Sequence, residues 1–319
     1  MKELTIGKND AGQRLDRFVG KALPLLPPAL AQKYIRLKRI KLNGRGAQRD
    51  TRLNPGDTVQ LYVNDEFFGE LPAGEDPFLG NFHPRLDVVY EDENLLLVNK
   101  RPGLVVHADE QEKVNTLLHH IQAYLYQRGE WDPRGENAFA PALCNRIDRN
   151  TGGIVIAAKN AEALRIINEK IRTHELRKSY LCVTVGRPQP PEGKIEGFLL
   201  KDEVKKEVSF YRRPVPGGKT AVTLYRTLDT RGRLSLVECE LLTGRTHQIR
   251  VSMAEIGCPL LGDGKYGNGA VNRDYHEQKQ LLCSYRLAFA FSEDAGLLEY
   301  LRGKEFSVAD VPFRTRYFP

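Results

Sequence analysis

One carboxylate lies among arginines at a glycine-rich turn in residues 144–160, CNRIDRNTGGIVIAAKN. Asp148 stands between Arg146 and Arg149 and precedes Thr-Gly-Gly and an apolar run. Flanking guanidinium groups favour the ionised form of a carboxyl group, which is the form that acts as a nucleophile or a base. The apolar run predicts a buried strand, and loops at the end of a sheet often carry reactive side chains.

Two other interpretations of Asp148 remain open from these residues alone. An Asp before Asn-Thr-Gly-Gly is typical of a turn or a cap. DRNTG also distantly resembles the nucleophile loop of phosphatases that form an aspartyl phosphate. Those loops follow a buried strand and usually offer a second carboxylate for magnesium. Here the preceding CNRI is polar and the next acid downstream is Glu162, which disfavours a phosphatase.

The composition is that of a folded protein with room for two domains. The chain has 319 residues, of which 41% are apolar and 28% are charged. No apolar run reaches the length of a membrane span, and the start MKELTIGKND has no apolar signal core, so we expect a cytoplasmic protein. The five cysteines are isolated and odd in number, which indicates neither a disulfide framework nor a zinc site.

Positive charge is concentrated at the start of the chain. Residues 1–63 carry thirteen Lys and Arg against five Asp and Glu, whereas residues 64–82 carry five acids and no Lys or Arg. A basic segment of this kind is typical of a protein that binds a polyanion, although a solvated face that aids solubility has the same composition.

The basic segment predicts a compact unit of two helices and a hairpin. Apolar residues at helical spacing predict two helices separated by a proline-rich turn, the second with Leu30, Tyr34 and Leu37 facing inward. IKLNGRG then predicts a strand entering an Asn-Gly turn, and GDTVQLYV predicts an alternating return strand. This order resembles a small RNA-binding domain first seen in a small-subunit ribosomal protein. The resemblance implies RNA contacts from the basic side chains Arg14, Lys33, Arg36 and Arg39.

The remainder of the chain predicts a linker and a larger domain. We interpret residues 1–63 as the small domain, the acidic, Gly- and Pro-bearing residues 64–85 as a linker, and residues 86–319 as the large domain. Helices are predicted after Asn160 and Thr246, each as an N-cap. Strands are predicted at DVVYED, LLLVNK, KSYLCVTVGR and LSLVECELL. Because the strands outnumber the helices and do not alternate with them, we expect an α+β fold with a mixed or antiparallel sheet.

Other short motifs carry no chemistry of their own. PGGKT at 216–220 lacks the upstream glycine of a phosphate-binding loop, and GDGKYGNGA at 262–270 predicts a surface turn. His119 and His120 are adjacent and cannot share one helical face, as metal ligands on a helix usually do. We therefore expect neither a cofactor nor a metal.

Four ordered segments resemble the RluA-type pseudouridine synthases. NRIDRNTGGIVIAAK is similar to their catalytic motif, KSYLCVTVGR to their Lys-x-Tyr segment, TGRTHQIRVSMAEIGCPLLGDGKYG to their third motif, and LLVNKRPGLVVH to their Lys-Pro-x-Gly segment. The resemblance implies an α+β catalytic domain that isomerises uridine in RNA. Such a reaction oxidises nothing and activates no phosphate, and it requires neither metal nor coenzyme.

The resemblance also implies roles for individual residues. Asp148 would be the catalytic aspartate, Tyr180 would stack on the extruded uracil and remove the carbon-5 proton, and Arg250 would pair with Asp148 across the pocket. Arg146 would help to displace the target base, and Arg245 and Lys178 would also bind the substrate. The family usually has His where this chain has Asn145, which leaves the substrate preference open. We expect large-subunit ribosomal RNA as the partner and a monomer as the active form. A non-catalytic RNA-binding or ribosome-assembly factor with the same fold is the alternative.

Overall fold

The computed structural model describes residues 1–68 and 82–319. The strands in these ranges are β1 (Lys2–Thr5), β2 (Ile40–Leu42), β3 (Arg45–Gly46), β4 (Thr58–Leu61), β5 (Val88–Glu91), β6 (Leu95–Lys100), β7 (Ala142–Leu143), β8 (Gly152–Ala158), β9 (Leu176–Val185), β10 (Glu192–Asp202), β11 (Glu207–Tyr211), β12 (Lys219–Arg231), β13 (Leu234–Leu241), β14 (Leu282–Phe289) and β15 (Glu305–Ser307). The α-helices are α1 (Leu15–Ala22), α2 (Pro28–Arg36), α3 (Leu117–Gln127), α4 (Ala161–Arg172), α5 (Gln248–Glu255), α6 (Gly269–Asp274) and α7 (Pro312–Tyr317).

The first strands form a small antiparallel sheet in the order β1-β4-β2-β3, and α1 and α2 pack with it around one apolar core. Asn43 and Gly44, between β2 and β3, have φ of 50° and 75°, as a type I′ hairpin turn requires. The predicted order of two helices and a hairpin is confirmed. β1 was not predicted, because its four residues are mostly exposed and show no apolar alternation.

The inward face of α2 differs from the predicted one. Ala31 and Ile35 are the buried residues of this helix, whereas Leu37, which we predicted to face inward, is 54% exposed. The prediction was wrong because α2 ends before Leu37. Lys38 then adopts a left-handed backbone, with φ of 57°, that turns the chain into β2.

The predicted linker lies mostly outside the described residues, which omit 69–81. Its first part forms a 3₁₀-helix, Asp65–Phe68, and Phe67 and Phe68 pack against the core of the small sheet. The limits of the two domains and of the linker therefore stay predictions.

The small sheet and its helices contact the remainder of the chain through side-chain hydrogen bonds. Asn137 Nδ2 donates to Asp10 Oδ2 at 2.9 Å and to the Thr5 carbonyl at 2.7 Å. Asn9 Oδ1 accepts from the backbone N–H of Ala161 at 3.1 Å, at the start of α4. The N-terminal unit is thus docked on the part of the molecule that carries the large sheet.

The large sheet is mixed, as predicted. Its strands lie in the order β11-β10-β12-β13-β9-β14-β8-β6-β5, with β15 beside β14 and β7 beside β8. The β14–β8 pair is parallel and the other pairs are antiparallel. Every residue of β8 is buried, which confirms the buried strand predicted after Asp148. An added Cβ at Gly153 would lie 2.2 Å from the Ser284 carbonyl oxygen, so this close strand pairing requires glycine.

The helices predicted beside the site are present, and one of their two predicted caps is correct. The Asn160 side chain accepts from the Ala163 N–H at 2.8 Å and caps α4, as predicted. Thr246 does not cap α5, because His247, with φ of 54°, intervenes and no side chain caps this helix. Among the helices of the described ranges, none is long and apolar enough to span a bilayer.

Candidate active site

The Asp148 loop connects β7 to β8 and is closed by a hydrogen bond from the Thr151 N–H to the Asp148 carbonyl at 3.0 Å. Lys100, at the end of β6, binds this loop through a hydrogen bond to a backbone carbonyl. Its buried ammonium group donates to the carbonyls of Arg149 and Leu104, both at 2.8 Å. Burial lowers the pKa of Lys100 to about 7, although the nearby Asp148 carboxylate acts in the opposite direction. Lys100 therefore joins the Lys-Arg-Pro-Gly turn to the loop that carries Asp148.

Arg250, on the first turn of α5, reaches Asp148 across 102 residues of sequence. Its Nη1 donates to Asp148 Oδ2 at 3.0 Å. Its Nε and Nη2 donate to the two oxygens of Asp263 at 2.7 and 2.9 Å. Burial opposes the charge of Arg250, but hydrogen bonds and attraction from Asp263 and Asp148 raise its pKa above the usual value. One guanidinium group thus bridges two carboxylates.

Asp263 is a residue of the site that the sequence prediction did not single out. We predicted a surface turn at 262–270, but Asp263 is 1% exposed and fixes Arg250 in a bidentate pair. Burial acts to raise its pKa, and the bonds and charge of Arg250 lower it below the usual value. An added Cβ at Gly262 or Gly267 would lie 2.1 or 2.2 Å from a backbone oxygen, so both glycines allow tight packing here. An acid bracketed by glycines within a matching motif was the available signal.

Tyr180 and Lys178 lie on β9, two residues apart, and face the same side of the strand. Tyr180 is 5% exposed, and burial raises its pKa to about 12, helped by the nearby Asp148 charge. The side chain is therefore a neutral phenol at neutral pH. Burial also lowers the pKa of Lys178 below its usual value.

A cavity of about 560 Å³ adjoins these groups, within the range of about 300–1,000 Å³ that ligand sites show. All six residues predicted to be catalytic or to bind substrate line it: Arg146, Asp148, Lys178, Tyr180, Arg245 and Arg250. Lys201 and Arg149 add positive charge, and the acids in the lining are Asp109 and Asp148. The structure therefore brings the predicted site together in one basic cavity.

Asn145, which replaces the usual His, has a structural contact. Its Oδ1 accepts from the Ile156 N–H at 2.8 Å, so its side chain ties the loop to β8. The neighbouring Arg146 is exposed at the cavity. Arg245 donates through Nε to the Thr220 carbonyl at 3.0 Å and is also exposed. Asn145 thus contributes to the position of the loop.

The four predicted RNA-binding cations belong to the small sheet unit. Lys33, Arg36 and Arg39 are exposed on and after α2. Arg14 is half-buried and bonds to both oxygens of Asp16, at 3.0 and 2.6 Å. Three of the four cations are thus available to a polyanion, and Arg14 is already paired within the chain. Within residues 1–68 and 82–319, no group of three or more His, Cys, Asp or Glu side chains could hold a metal ion.

Comparison with known proteins identifies the family. The family model described as RNA pseudouridylate synthase matches residues 94–255. A Bacillus subtilis protein named "Uncharacterized RNA pseudouridine synthase YhcT" is 32% identical over 270 residues, covering 84% of this chain and 83% of that protein. The chain belongs to the RNA pseudouridylate synthase family. It is an RNA pseudouridine synthase, an isomerase that acts on RNA.

One further relative matches nearly the whole chain, and one solved structure has the same fold. The "Ribosomal large subunit pseudouridine synthase D" of Zymomonas mobilis is 32% identical over 320 residues, covering 98% of this chain and 94% of that one. The structure of "Human RNA Pseudouridylate Synthase Domain Containing 4" has a TM-score of 0.55 at 23% identity, covering 72% of this chain and 90% of that chain. The pseudouridine synthase fold predicted from the motifs is confirmed.

Removing the charge of Asp263 tests its hold on Arg250. Asp263→Asn keeps the side-chain shape but leaves a buried guanidinium group with one carboxylate, and breaking a buried pair costs about 3–5 kcal/mol of unfolding free energy. We expect a lower melting temperature and a fall of about 10²-fold in single-turnover pseudouridine formation, because Arg250 would no longer be fixed. Asp274→Asn is the control, since it removes a carboxylate of an exposed pair with Arg233. Equal rates for the two variants would show that Asp263 does not matter for the site.

Proposed function

We propose that this chain isomerises uridines of large-subunit ribosomal RNA, with Asp148 as the catalytic carboxylate. The observation that carries the proposal is the 3.0 Å contact between Asp148 and Arg250 inside a basic cavity. The target class is supported by relatives named ribosomal large subunit pseudouridine synthase C and D, which are 28% and 32% identical to this chain. A non-catalytic assembly factor has no need for a buried guanidinium group that holds a carboxylate at the wall of a basic cavity.

The reaction assigns each group a task. The bond between ribose C1′ and uracil N1 breaks, the uracil turns, and a bond from C1′ to C5 forms. C5 then loses its proton and N1 gains one, so the product is an isomer of the substrate. Asp148 acts on the ribose or the uracil, and Arg250 keeps its carboxylate charged and oriented.

Tyr180 is proposed to stack on the extruded uracil. Base–aromatic stacking contributes roughly 1–3 kcal/mol per base, which offsets much of the cost of taking the base out of its stack. Tyr180 is also the proposed acceptor of the C5 proton. Because its pKa is about 12, it enters the reaction as a phenol. It accepts the C5 proton while its own hydroxyl proton passes to N1 of the turned uracil, so the step takes up and releases no net proton.

The remaining cations of the cavity are proposed to bind the RNA strand. Arg146 is exposed beside Asp148 and helps to displace the target base from the RNA. Lys178 is a partly buried ammonium group, and a bound phosphate would compensate its charge. Arg245 lies at the exposed part of the cavity, where it can contact the backbone on either side of the flipped nucleotide.

Residues 1–63 are proposed to act as a separate RNA-binding domain. Lys33, Arg36 and Arg39 would contact phosphates without reading sequence, and Arg14 would do so by exchanging Asp16 for a phosphate. RNA shape near the cavity would select the target. The linker at 64–85 would join this domain to the catalytic domain, residues 86–319. We further propose that the protein works as a monomer in the cytoplasm.

Mapping of pseudouridines tests the role of Asp148 and the target class together. Total RNA from cells lacking the protein is compared with RNA from cells complemented by wild type or by Asp148→Asn. Wild type is expected to restore specific sites in large-subunit ribosomal RNA, and Asp148→Asn none of them, because the amide cannot act as a nucleophile or a base. Restoration by both proteins would exclude Asp148 as the catalytic group. Sites confined to transfer RNA would contradict the ribosomal target.

Charge reversal tests the RNA surface of the small domain. The variant Lys33→Glu/Arg36→Glu/Arg39→Glu is expected to bind RNA more weakly. It should also lower the slope of log affinity against log salt concentration by about 2, because three phosphate contacts, and the counterions that each of them releases on binding, are lost. The control reverses three exposed cations of the large domain, Arg172, Lys304 and Arg314, and changes net charge equally. Equal salt slopes for the two variants would show that RNA does not bind at Lys33, Arg36 and Arg39.

A further inference from the structure

His247 lies beside the reacting carboxylate in an unusual backbone conformation. Its φ is 54°, in the left-handed region, directly before the first residue of α5. Its side chain is 15% exposed and faces the cavity, with Nε2 at 4.0 Å from Asp148 Oδ2. Left-handed conformations of residues other than glycine persist where the surrounding structure fixes them, and they are frequent at functional sites.

The contacts of Tyr266 determine where the imidazole hydrogen lies. Tyr266 Oη accepts from the Val208 N–H at 2.8 Å and lies 2.8 Å from His247 Nδ1. The Val208 N–H occupies one acceptor position of the phenol oxygen, and Nδ1 is the only acceptor for the phenol hydrogen within the described parts of the chain, so we assign that hydrogen to Nδ1. The neutral imidazole then carries its hydrogen on Nε2, which faces Asp148. Burial lowers the pKa of His247 below its usual value, so the neutral form prevails at neutral pH.

The two oxygens of Asp148 have different environments. Oδ2 accepts from Arg250 Nη1 at 3.0 Å and is the oxygen that His247 faces. Oδ1 has no hydrogen-bond partner in the described parts of the chain. A carboxylate held by one oxygen presents the other in a fixed direction.

We propose that His247, oriented by Tyr266, is a positioning residue that acts with Arg250 on Oδ2 of Asp148 and leaves Oδ1 to react with the target nucleotide. The inference rests on the proposed role of Asp148. Tyr266 is itself held from two sides, because its phenol oxygen accepts from the Val208 N–H of β11 and its backbone N–H donates to Asp263 Oδ1 at 3.1 Å. The orientation of the imidazole is thus fixed by the β10–β11 hairpin as well as by α5.

Two substitutions of His247 separate its two contacts. An Asn amide lies near the position of Nδ1 and tolerates the left-handed backbone, so His247→Asn keeps a partner for Tyr266 but loses the donor toward Asp148. A Gln amide extends to the position of Nε2, so His247→Gln restores a donor toward Asp148.

Tyr266→Phe removes the hydrogen bond that orients the imidazole and leaves His247 in place. Tyr317→Phe, which removes a phenol that contacts Glu277, is the control.

The experiment measures single-turnover rate and RNA affinity on the same RNA. The RNA comes from cells lacking the protein, grown with uridine that carries tritium at carbon 5, and proton loss from C5 releases the label. We expect His247→Asn and Tyr266→Phe each to lower the rate at saturating RNA by about 10- to 100-fold with an unchanged Kd. His247→Gln should recover part of this loss. The double variant should be no slower than the slower single variant, because both act through one chain of contacts.

Other outcomes overturn the inference. Wild-type rates for His247→Asn and Tyr266→Phe would show that Asp148 needs no such support. A loss confined to Kd would make His247 an RNA contact, and additive losses would separate it from Tyr266. Asp148→Asn is measured beside them. If that variant is active, the proposed function fails, whereas an inactive Asp148→Asn beside an unaffected His247→Asn overturns this inference alone.

Discussion

The guanidinium group of Arg250 lies between two carboxylates in the interior of the molecule, and the arrangement of the site depends on this bridge. Removing a cation from water costs several kcal/mol unless hydrogen bonds and opposite charge compensate it. Asp263 compensates with a bidentate pair, at 2.7 and 2.9 Å, and so leaves the remaining nitrogen for Asp148. Because Asp263 is almost inaccessible and Asp148 adjoins the cavity, the bridge joins a fully buried carboxylate to one at the cavity wall.

The large sheet supplies the rigid parts that this bridge requires. The buried strand β8 fixes the end of the Asp148 loop, and Lys100 at the end of β6 donates a hydrogen bond to the Arg149 carbonyl of this loop. Tyr180 projects from β9, close to the centre of the sheet, and Arg250 from the first turn of α5. Side chains on packed strands and helices hold their geometry better than side chains on free loops. The site therefore combines one loop residue with groups from three regular elements.

Local sequence signals predicted local structure well. Asn160 caps α4, the Asn-Gly turn forms a hairpin, and the apolar run after Asp148 is a buried strand. The same signals failed where tertiary contacts decide the outcome. Thr246 resembles a cap, but His247 takes a left-handed conformation before α5. Leu37 fits the helical pattern of α2 but lies beyond the end of that helix.

The candidate site was predicted through family motifs, since no local pattern joins Asp148 to a partner 102 residues away. The motifs led to Tyr180 and Arg250 but gave no reason to single out His247, and the one signal for Asp263 was its place between glycines within the third motif. An acid between glycines has the composition of a surface turn, and only the packed structure shows that it is buried beside Arg250. Histidine at a helix start is likewise unremarkable until its distance to Asp148 is known.

Replacing the Arg250 guanidinium group by a lysine ammonium group tests the bridge between Asp148 and Asp263 most directly. Arg250→Lys keeps a positive charge near Asp148, but one ammonium group cannot form a bidentate pair with Asp263 and still hold Asp148 in the same geometry. We predict that single-turnover pseudouridine formation falls by about 10²-fold or more at saturating RNA, while the variant stays folded and binds RNA with wild-type affinity. A folded Arg250→Lys protein with the wild-type rate would show that charge alone suffices and would contradict the account.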